Sequence, residues 1–298
     1  YQRRVRGIMF AVALAQQFYK QQTLDVLKNI PDMTWTPRIQ EMFKGKSYEE
    51  IRNMFREEHT MSNAPILHLT GDKAPASFDH RTANPDCNWT GYDQASCGSC
   101  WAFAAVGAMS FTRCVQKIDS KYIRYSEQYA VSCDKGNSGC NGGNAARSMQ
   151  FLQKTGVTPY SCNKYTSGNG ATGKCPTTCD DKSSLPTLTK IKAYAQVCTG
   201  EENIMHAILM GPLRTRFDVY EDFMYFGGDK DEVYKHVSGG SMGGHAVQKI
   251  GWGELNGVKY WLIKNSWGST WGNDGGYFKF IRGINNCKIE GDCWLITP

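Results

Sequence analysis

Cysteine is the residue that most constrains this chain: there are twelve, and none comes before Cys87. In a secreted protein such a density is typical of a disulfide framework, whereas in a cytosolic enzyme it suggests metal sites. The spacing does not favour metal, because Cys97 and Cys100 are the one pair with two residues between them and no histidine lies between His80 and His206. We therefore expect disulfide bonds, no metal site and an oxidising compartment.

The first fifteen residues have the pattern of a secretory signal. An apolar stretch from Gly7 to Ala15 follows the basic RRVR and ends in Ala-Leu-Ala, which is similar to a signal-peptide cleavage site. The alternative is the first turns of a helix that continues through FYKQQTLDVLKN. The sequon at Asn88 predicts glycosylation there and fits the same route. The expected location is the secretory pathway, ending in lysosome-like vesicles or outside the cell.

Composition excludes three other classes of protein. With 41% hydrophobic and 21% charged residues, the chain can bury a core and is not a disordered protein. The net charge of +6 is spread evenly, because residues 1–73 carry a net +3 and the remainder another +3. No basic stripe therefore suggests nucleic acid. No uncharged apolar run approaches the roughly 18 residues that span a bilayer, so we expect no membrane span.

Residues 16–73 form a separate module by composition, because they contain no cysteine. Ser47 and Glu50 can form a capping box at the start of a helix, after which Ile51, Met54 and Phe55 fall on one helical face. An exposed, proline-bounded linker follows. We expect a helical N-terminal module over 16–73 and a second domain over 74–298.

The cysteine-rich part changes from a helical to a strand-like pattern along its length. The run 99–114 is almost wholly apolar and predicts a helix buried on all sides. Residues 144–155 predict a second helix, with Gly156 as its stop. Near the C-terminus the stretches HAVQKIGW, VKYWLIKN and GYFKFIRG alternate like strands. This order predicts an α+β fold with two unlike halves, at about 85–185 and 186–298.

Cys100 opens the buried helix, directly before a tryptophan. A thiol in the first turn of a helix lies at the positive end of the macrodipole, which favours the thiolate. The alternative for Cys-Gly-Ser-Cys is a redox or structural pair, but no βαβ pattern surrounds it.

A nucleophile needs a base and a group that orients the base. His245 begins one predicted strand and Asn265 ends the next. A lone histidine is more often a core residue, yet three such elements together favour catalysis.

Four separated motifs resemble those of the papain-like cysteine proteases: QASCGSCWAF at 94–103, GCNGG at 139–143, GGHA at 243–246 and KNSWG at 264–268. The first matches the cysteine signature of papain and the cathepsins. The cathepsin B branch is the most similar, through PASFDHRTANPDC, GPLRTRFDVYEDF, MGGHAVQKIGWG and a short propeptide. The resemblance implies a papain-like fold, with a helical left lobe, a β-barrel-like right lobe, a cleft between them and a helical propeptide.

The resemblance implies a role for each matching residue. Cys100 would be the nucleophile, His245 its general base and acid, and Asn265 the group that holds the imidazole. Gln94 and the backbone N–H of Cys100 would form the oxyanion hole, where one donor is typically worth about 3 kcal/mol. The positions implied for substrate binding are Gly98, Gly142, Gly143, Arg216, Ala246, Trp267 and Asp292. The thiol and the imidazole would rest as a thiolate–imidazolium pair.

The resemblance also implies four disulfides, Cys87–Cys114, Cys97–Cys140, Cys133–Cys175 and Cys162–Cys179. With Cys100 free, Cys198, Cys287 and Cys293 are left over. Since three is an odd number, at least one of them is a free thiol or pairs outside the chain. The sequence leaves open which one.

Two departures from the cathepsin B branch bear on specificity. That branch carries an occluding loop with paired histidines that makes it a dipeptidyl carboxypeptidase, but the equivalent stretch here, near 162–175, has no histidine. This resembles protozoan members and predicts an endopeptidase with an open cleft.

In the pocket for the second residue before the cut, Asp292 falls at the floor and Arg216 at the wall. Arg216 either pairs with Asp292 or points along the other strand face into solvent. The expected preference is Val, Leu or Phe, with Arg tolerated weakly.

The sequence thus predicts the zymogen of a cathepsin B-like cysteine endopeptidase, monomeric and without cofactor or metal. Its expected partners are protein and peptide substrates, its own propeptide as inhibitor, and cystatin-type inhibitors. Two other interpretations were weighed, an inactive family member with a binding role and a secreted disulfide or metal module without catalysis. Alkylation of the active-site thiol, and the intact mass after chelation, distinguish them from a protease.

Overall fold

The computed structural model describes residues 17–59 and 62–298. The predicted signal remnant, residues 1–15, lies outside them. The α-helices described are α1 (Gln21–Lys28), α2 (Tyr48–Arg52), α3 (His80–Ala83), α4 (Cys100–Val115), α5 (Glu127–Cys133), α6 (Ala145–Lys154) and α7 (Glu201–Met210). The strands are β1 (Phe78–Asp79), β2 (Ala193–Gln196), β3 (Leu213–Tyr220), β4 (Val233–Tyr234), β5 (Ser241–Leu255), β6 (Val258–Lys264), β7 (Tyr277–Ile281) and β8 (Cys293–Thr297). Short 3₁₀ turns lie at Glu41–Phe43, Pro85–Cys87, Gly139–Asn141, Ser167–Asn169, Glu221–Tyr225 and Asn286–Lys288.

The helical lobe is built around α4. Every residue of this helix from Cys100 to Thr112 is buried, because its sequence is apolar all round until Arg113. Helices α5 and α6 pack against it. The side chain of Asn144 caps α6 by accepting the backbone N–H of Arg147. These two helices, α4 and α6, match the predicted pair to within one residue at each end.

The other lobe is a sheet in the order β2-β8-β3-β5-β6-β7-β4, with β1 paired to β5. All the pairs are antiparallel except β4 with β7. The three stretches predicted as strands form β5, β6 and β7, and the predicted α+β class is confirmed. The register sets Phe217 opposite His245 and Gln248 opposite Lys264. His245 and Asn265, which directly follows β6, are therefore carried by neighbouring strands.

The first part of the N-terminal segment packs on the sheet lobe. Leu24 and Leu27 of α1 are buried. Trp35 packs edge-on against Phe226, with 5.8 Å between the ring centroids, and its indole N–H donates to the carbonyl of Lys235 over 2.9 Å. Full burial of such side chains stabilises the docked segment by about 1.5–3 kcal/mol each.

The segment then turns towards the junction of the lobes. Helix α2 begins at the predicted capping box, in which Ser47 accepts the N–H of Glu50 and the Glu50 carboxylate accepts the N–H of Ser47. Ile51, Met54 and Phe55 are all at most 3% exposed, but α2 ends at Arg52, so Met54 and Phe55 are buried beyond the helix and not on one helical face with Ile51. Their burial fixes the chain as it enters the space between the two lobes.

The linker that follows is mostly exposed but tied to the sheet. The N–H of Leu67 donates to the carbonyl of Gln196 over 2.9 Å, and the N–H of Gln196 donates to the carbonyl of Pro65 over 2.8 Å. The linker therefore lies as a short extended strand along the free side of β2. Across residues 17–59 and 62–298, no helix combines the length and apolar character that crossing a membrane requires.

Five disulfides staple the chain: Cys87–Cys114, Cys97–Cys140, Cys133–Cys175, Cys162–Cys179 and Cys198–Cys293. The first four are the pairs that the family resemblance implies. The fifth joins two of the three cysteines whose state the sequence left open, and Cys287 is a buried free thiol, as is Cys100. Because the fifth bond joins residues 95 apart, the loop-closure account assigns it about 4–5 kcal/mol.

Candidate active site

Cys100 is the first residue of α4 and lies fully buried where the two lobes meet. Its side chain packs with Ala104 of the same helix and with Ala246 of β5. Burial raises the pKa of the Cys100 thiol to about 11, although backbone hydrogen bonds from Ala246 and Trp101 act in the opposite direction. In this form of the protein the thiol therefore carries its proton.

His245 precedes Ala246 on β5, and its Nε2 donates to the side-chain oxygen of Asn265 over 2.8 Å. The same oxygen accepts the backbone N–H of Ser266 over 2.9 Å, which fixes the amide orientation. The proton therefore sits on Nε2, and the buried Nδ1, which has no partner in the described chain, is the basic nitrogen. Trp267 stacks on the imidazole at 5.3 Å between centroids and keeps water from the His245–Asn265 contact.

Both partners of the thiol–imidazole pair are neutral in this form. Burial lowers the pKa of His245 to about 4, although the hydrogen bond to Asn265 acts in the opposite direction. Since the same burial raises the pKa of Cys100, neither group is charged near neutral pH. Burial thus acts against the thiolate–imidazolium pair implied by the family resemblance as long as the site is covered.

Gln94 is fully buried and presents its amide N–H groups to two carbonyl oxygens. Nε2 donates to Cys97 over 3.0 Å and to Met54 over 3.2 Å, while Oε1 accepts the hydroxyl of Ser266 over 2.6 Å. Met54 belongs to the N-terminal segment. The Met54 carbonyl therefore accepts a hydrogen bond from the Gln94 amide, which the resemblance identifies as a donor to the substrate oxyanion.

A short extended stretch of the N-terminal segment passes between the lobes. On the helical side, Gly143 donates its N–H to the carbonyl of Arg56 over 3.2 Å and accepts the N–H of Glu58 over 2.9 Å. On the sheet side, the N–H of Glu57 donates to the carbonyl of Gly244 over 3.1 Å. The stretch runs parallel to both glycine strands and closes the cleft over Cys100.

Glycines make this close approach possible. Gly142 has a φ of +116° and Gly243 a φ of +126°. A Cβ atom at Gly142 would lie 2.3 Å from the carbonyl oxygen of Arg56, and one at Gly243 would lie 2.4 Å from that of Phe55. Gly98 faces the same segment, since a Cβ there would lie 2.8 Å from a backbone oxygen of that segment. The cleft walls are therefore bare backbone, suited to an extended chain.

The pocket beside Gly143 contains an ion-pair cluster. The side chain of Glu57 is fully buried and its carboxylate contacts Nη2 of Arg214, which is also fully buried. Nη1 of Arg214 donates to Asp292 over 3.1 Å, and the indole N–H of Trp294 donates to the same Asp292 oxygen. Burial lowers the pKa of Arg214 to about 10, so the guanidinium stays charged at neutral and acidic pH.

Both arrangements expected for Arg216 are wrong. Arg216 is 7% exposed rather than solvated, and its guanidinium pairs with Asp218 over 2.7 Å instead of with Asp292. Lys288 pairs with the second oxygen of Asp218 over 2.9 Å. Residues two apart on β3 share a face, which places Asp218 within reach of Arg216 and leaves Asp292 to Arg214.

Arg214 is the functional candidate that the sequence analysis missed. The alternation of β3 held the signal, because RTRFD places Arg214, Arg216 and Asp218 on one face. Ala246 packs against Cys100. Asn88 is exposed, and its side-chain oxygen accepts the hydroxyl of Thr90 over 2.7 Å.

Comparison with known proteins places this site in a family. Residues 74–297 match the family described as papain family cysteine protease. The chain therefore belongs to the papain family of cysteine proteases, and within that family to the cathepsin B-like proteins. The family activity is hydrolysis of peptide bonds, and this chain is a peptide hydrolase of that type.

The relatives agree with one another. The chain is 40% identical to Cathepsin B-like CP3 of Giardia intestinalis, over 95% of this chain and 96% of that protein. It is 36% identical to Cathepsin B-like cysteine proteinase 6 of Caenorhabditis elegans, over 72% of this chain and 64% of that protein. Among solved structures, proCathepsin B S9 from Trypanosoma congolense superposes with a TM-score of 0.88 at 28% identity, over 95% of this chain and 99% of that chain.

Proposed function

We propose that this protein is the inactive precursor of a cysteine endopeptidase whose nucleophile is Cys100. The observation that carries the proposal is the 2.8 Å hydrogen bond from His245 to Asn265, with the adjacent Ala246 packed against Cys100 at the start of a helix and Phe55 of the N-terminal segment packed on the imidazole. A base held in one orientation next to a buried thiol is the arrangement that nucleophilic catalysis needs.

The catalytic cycle follows from these positions once the segment has left. Nδ1 of His245 takes the thiol proton, and the Cys100 thiolate adds to the carbonyl carbon of the scissile peptide. The amide of Gln94 and the N–H of Cys100 donate to the oxyanion. Collapse breaks the C–N bond, and His245 gives its proton to the leaving amine. A water, deprotonated by His245, then hydrolyses the thioester and returns the thiol.

Residues 16–73 act as the removable inhibitor, and the mature protease is the chain from about Ala74. The segment blocks the oxyanion donor, covers the thiol and bridges both lobes through Gly143 and Gly244. Exposed backbone in the linker before Ala74 gives a protease access to the junction. Water then re-enters the cleft, and the Cys100–His245 pair can hold its two charges.

The sequence between Cys162 and Cys175 supports endopeptidase rather than carboxydipeptidase activity. The stretch between Cys162 and Cys175 contains no histidine to hold a substrate carboxylate. It folds back on the helical lobe, where the carbonyl of Thr172 accepts the hydroxyl of Ser132 over 2.8 Å. The disulfides fit an oxidising compartment, and we place the protein in the secretory pathway, in lysosome-like vesicles or outside the cell.

One experiment tests the proposal. The full chain is activated at acidic pH and given an internally quenched peptide whose C-terminus is amidated. Internal cleavage is expected from the native chain and from Cys287→Ala, the matched control at the other free thiol. Cys100→Ala should cleave nothing while keeping all five disulfides. Activity of Cys100→Ala would contradict the proposal, as would a native chain that leaves the amidated peptide intact but releases dipeptides from the same peptide with a free C-terminus.

A further inference from the structure

The inhibitory segment itself occupies one substrate pocket. Glu57 is the residue of the segment that bridges Gly143, and its side chain enters the pocket beside that glycine. A substrate residue that lies opposite Gly143 with its side chain on the same face as that of Glu57 meets the same walls, Arg214 of β3 and Asp292 directly before β8. Glu57 is therefore a guide to what this pocket holds.

The side chains in and around the pocket carry equal numbers of positive and negative charges only while Glu57 is present. Three cations (Arg214, Arg216 and Lys288) face three carboxylates (Glu57, Asp218 and Asp292). Asp218 is satisfied by its own two partners. The departure of Glu57 leaves three cations beside two carboxylates, and Nη2 of Arg214 loses the carboxylate that it contacts, while Nη1 keeps Asp292.

One carboxylate oxygen of Asp292 is already in use within the pocket. The same oxygen of Asp292 accepts both Nη1 of Arg214 and the indole N–H of Trp294. A substrate arginine would have to approach beside the Arg214 guanidinium and would be repelled. An apolar substrate side chain would cover Nη2 of Arg214 without giving it a partner, which costs free energy in a buried site.

We infer that the mature protease selects a carboxylate side chain, Glu or Asp, for the substrate residue that pairs with Gly143, and that Arg214 is the specificity-determining residue. This inference rests on the proposed function, and it replaces the preference for Val, Leu or Phe expected from the sequence. The carboxylate of the substrate takes the place of Glu57 and restores the charge balance of the pocket.

The test compares four internally quenched peptides that differ only at this residue, which is Glu, Gln, Leu or Arg. With the acid-activated native chain, kcat/KM for Glu should exceed that for its neutral isostere Gln by about tenfold or more, the range of one charge-assisted hydrogen bond. Leu should be intermediate and Arg the slowest. A Leu or Arg peptide cleaved faster than the Glu peptide would overturn the inference while leaving the proposed function intact.

Variants assign the preference to Arg214. Arg214→Met should abolish the advantage of Glu over Gln, and Arg214→Lys should keep part of it. Arg81→Met is the matched control, since Arg81 is an ion-paired arginine bound to Asp79 and Asp274, outside the cleft. If Arg214→Met does not fold, the ratios of the native chain and of Arg214→Lys decide. Hydrolysis of none of the four peptides would overturn the proposed function and this inference together.

Discussion

The ring of Phe55 lies edge-on against the imidazole of His245, with 5.5 Å between the two centroids. The same phenyl ring lies 5.9 Å from the Trp267 indole. One side chain of the N-terminal segment thus packs on both rings of the site. Its packing contributes to the burial that lowers the pKa of His245.

Removing that ring should expose the thiol before any proteolysis. Truncation of a buried Phe to Ala costs about 3–5 kcal/mol. We expect Phe55→Ala to raise the rate at which iodoacetamide alkylates Cys100 in the uncleaved chain at neutral pH, by about a hundredfold for 3 kcal/mol. A Cys287→Ser background ensures that the mass change reports Cys100. An unchanged rate would mean that Phe55 does not hold the segment in place.

Gln94 should affect the chemical step more than substrate binding. Its amide N–H groups are available to a developing oxyanion once the Met54 carbonyl has left. In the activated chain, Gln94→Ala should lower kcat by about 10²–10³ with little change in KM. Gln116→Ala, at the opposite end of α4, is the matched control. A loss confined to KM would contradict the assignment of Gln94 as an oxyanion donor.

His80 should make the folded chain sensitive to acid. Its Nε2 donates to the carbonyl of Ile208 over 2.6 Å and its Nδ1 accepts from Asn84 over 3.0 Å, so both nitrogens are used by the neutral ring. Burial lowers its pKa to about 4 from the usual 6.5, although the bond to Ile208 acts the other way. Between these values the unfolded chain binds a proton that the folded chain refuses, so stability falls as the pH falls.

The measurement is the free energy of unfolding against pH, in a Cys100→Ala background that prevents self-cleavage. Removing the titrating ring with His80→Gln should reduce the slope between pH 6.5 and 4 by about 1.4 kcal/mol per pH unit. Above pH 6.5 the slopes should agree. His68→Gln, at an exposed histidine of the linker, should leave the slope unchanged. Equal slopes for native and His80→Gln chains would show that His80 is protonated in the fold.

The Cys198–Cys293 bond should matter more than the remaining free thiol. Replacing both partners by serine should lower the free energy of unfolding by about 2–5 kcal/mol, because the bond closes a long loop. Cys287→Ser should change it by less than about 1 kcal/mol. Urea unfolding measures both effects, and peptide mapping under non-reducing conditions identifies the pairs. A peptide that links Cys287 to either partner would show that the pairing is different.

Local signals predicted the elements whose structure is set by nearby residues. The apolar run predicted α4, alternation predicted β5 to β7, and Ser47 with Glu50 predicted the start of α2. The pairing of Cys198 with Cys293 could not be chosen by counting, because it depends on how β8 lies beside the chain that follows β2. The same limit applies to the pocket, since the contact between Glu57 and Arg214 joins two distant parts of the sequence.

The charge state of the site was the least predictable feature. Cys100 lies at the positive end of the α4 dipole, which favours a thiolate, and this effect is local. The opposing effect is the loss of water, which Phe55 and its neighbours cause only when the segment is folded into the cleft. A sequence motif identifies the residues at a site but does not tell whether the folded chain leaves that site accessible to solvent.

Strand β2 is an outer strand of its sheet, with β8 on one side and the Pro65–Leu67 linker on the other. If a cut near Ala74 releases the linker, the backbone N–H and C=O of Gln196 lose their hydrogen-bond partners. Free backbone groups on an outer strand pair readily with other extended chains. Release of the linker would therefore leave the N–H and C=O of Gln196 free to pair with another extended chain.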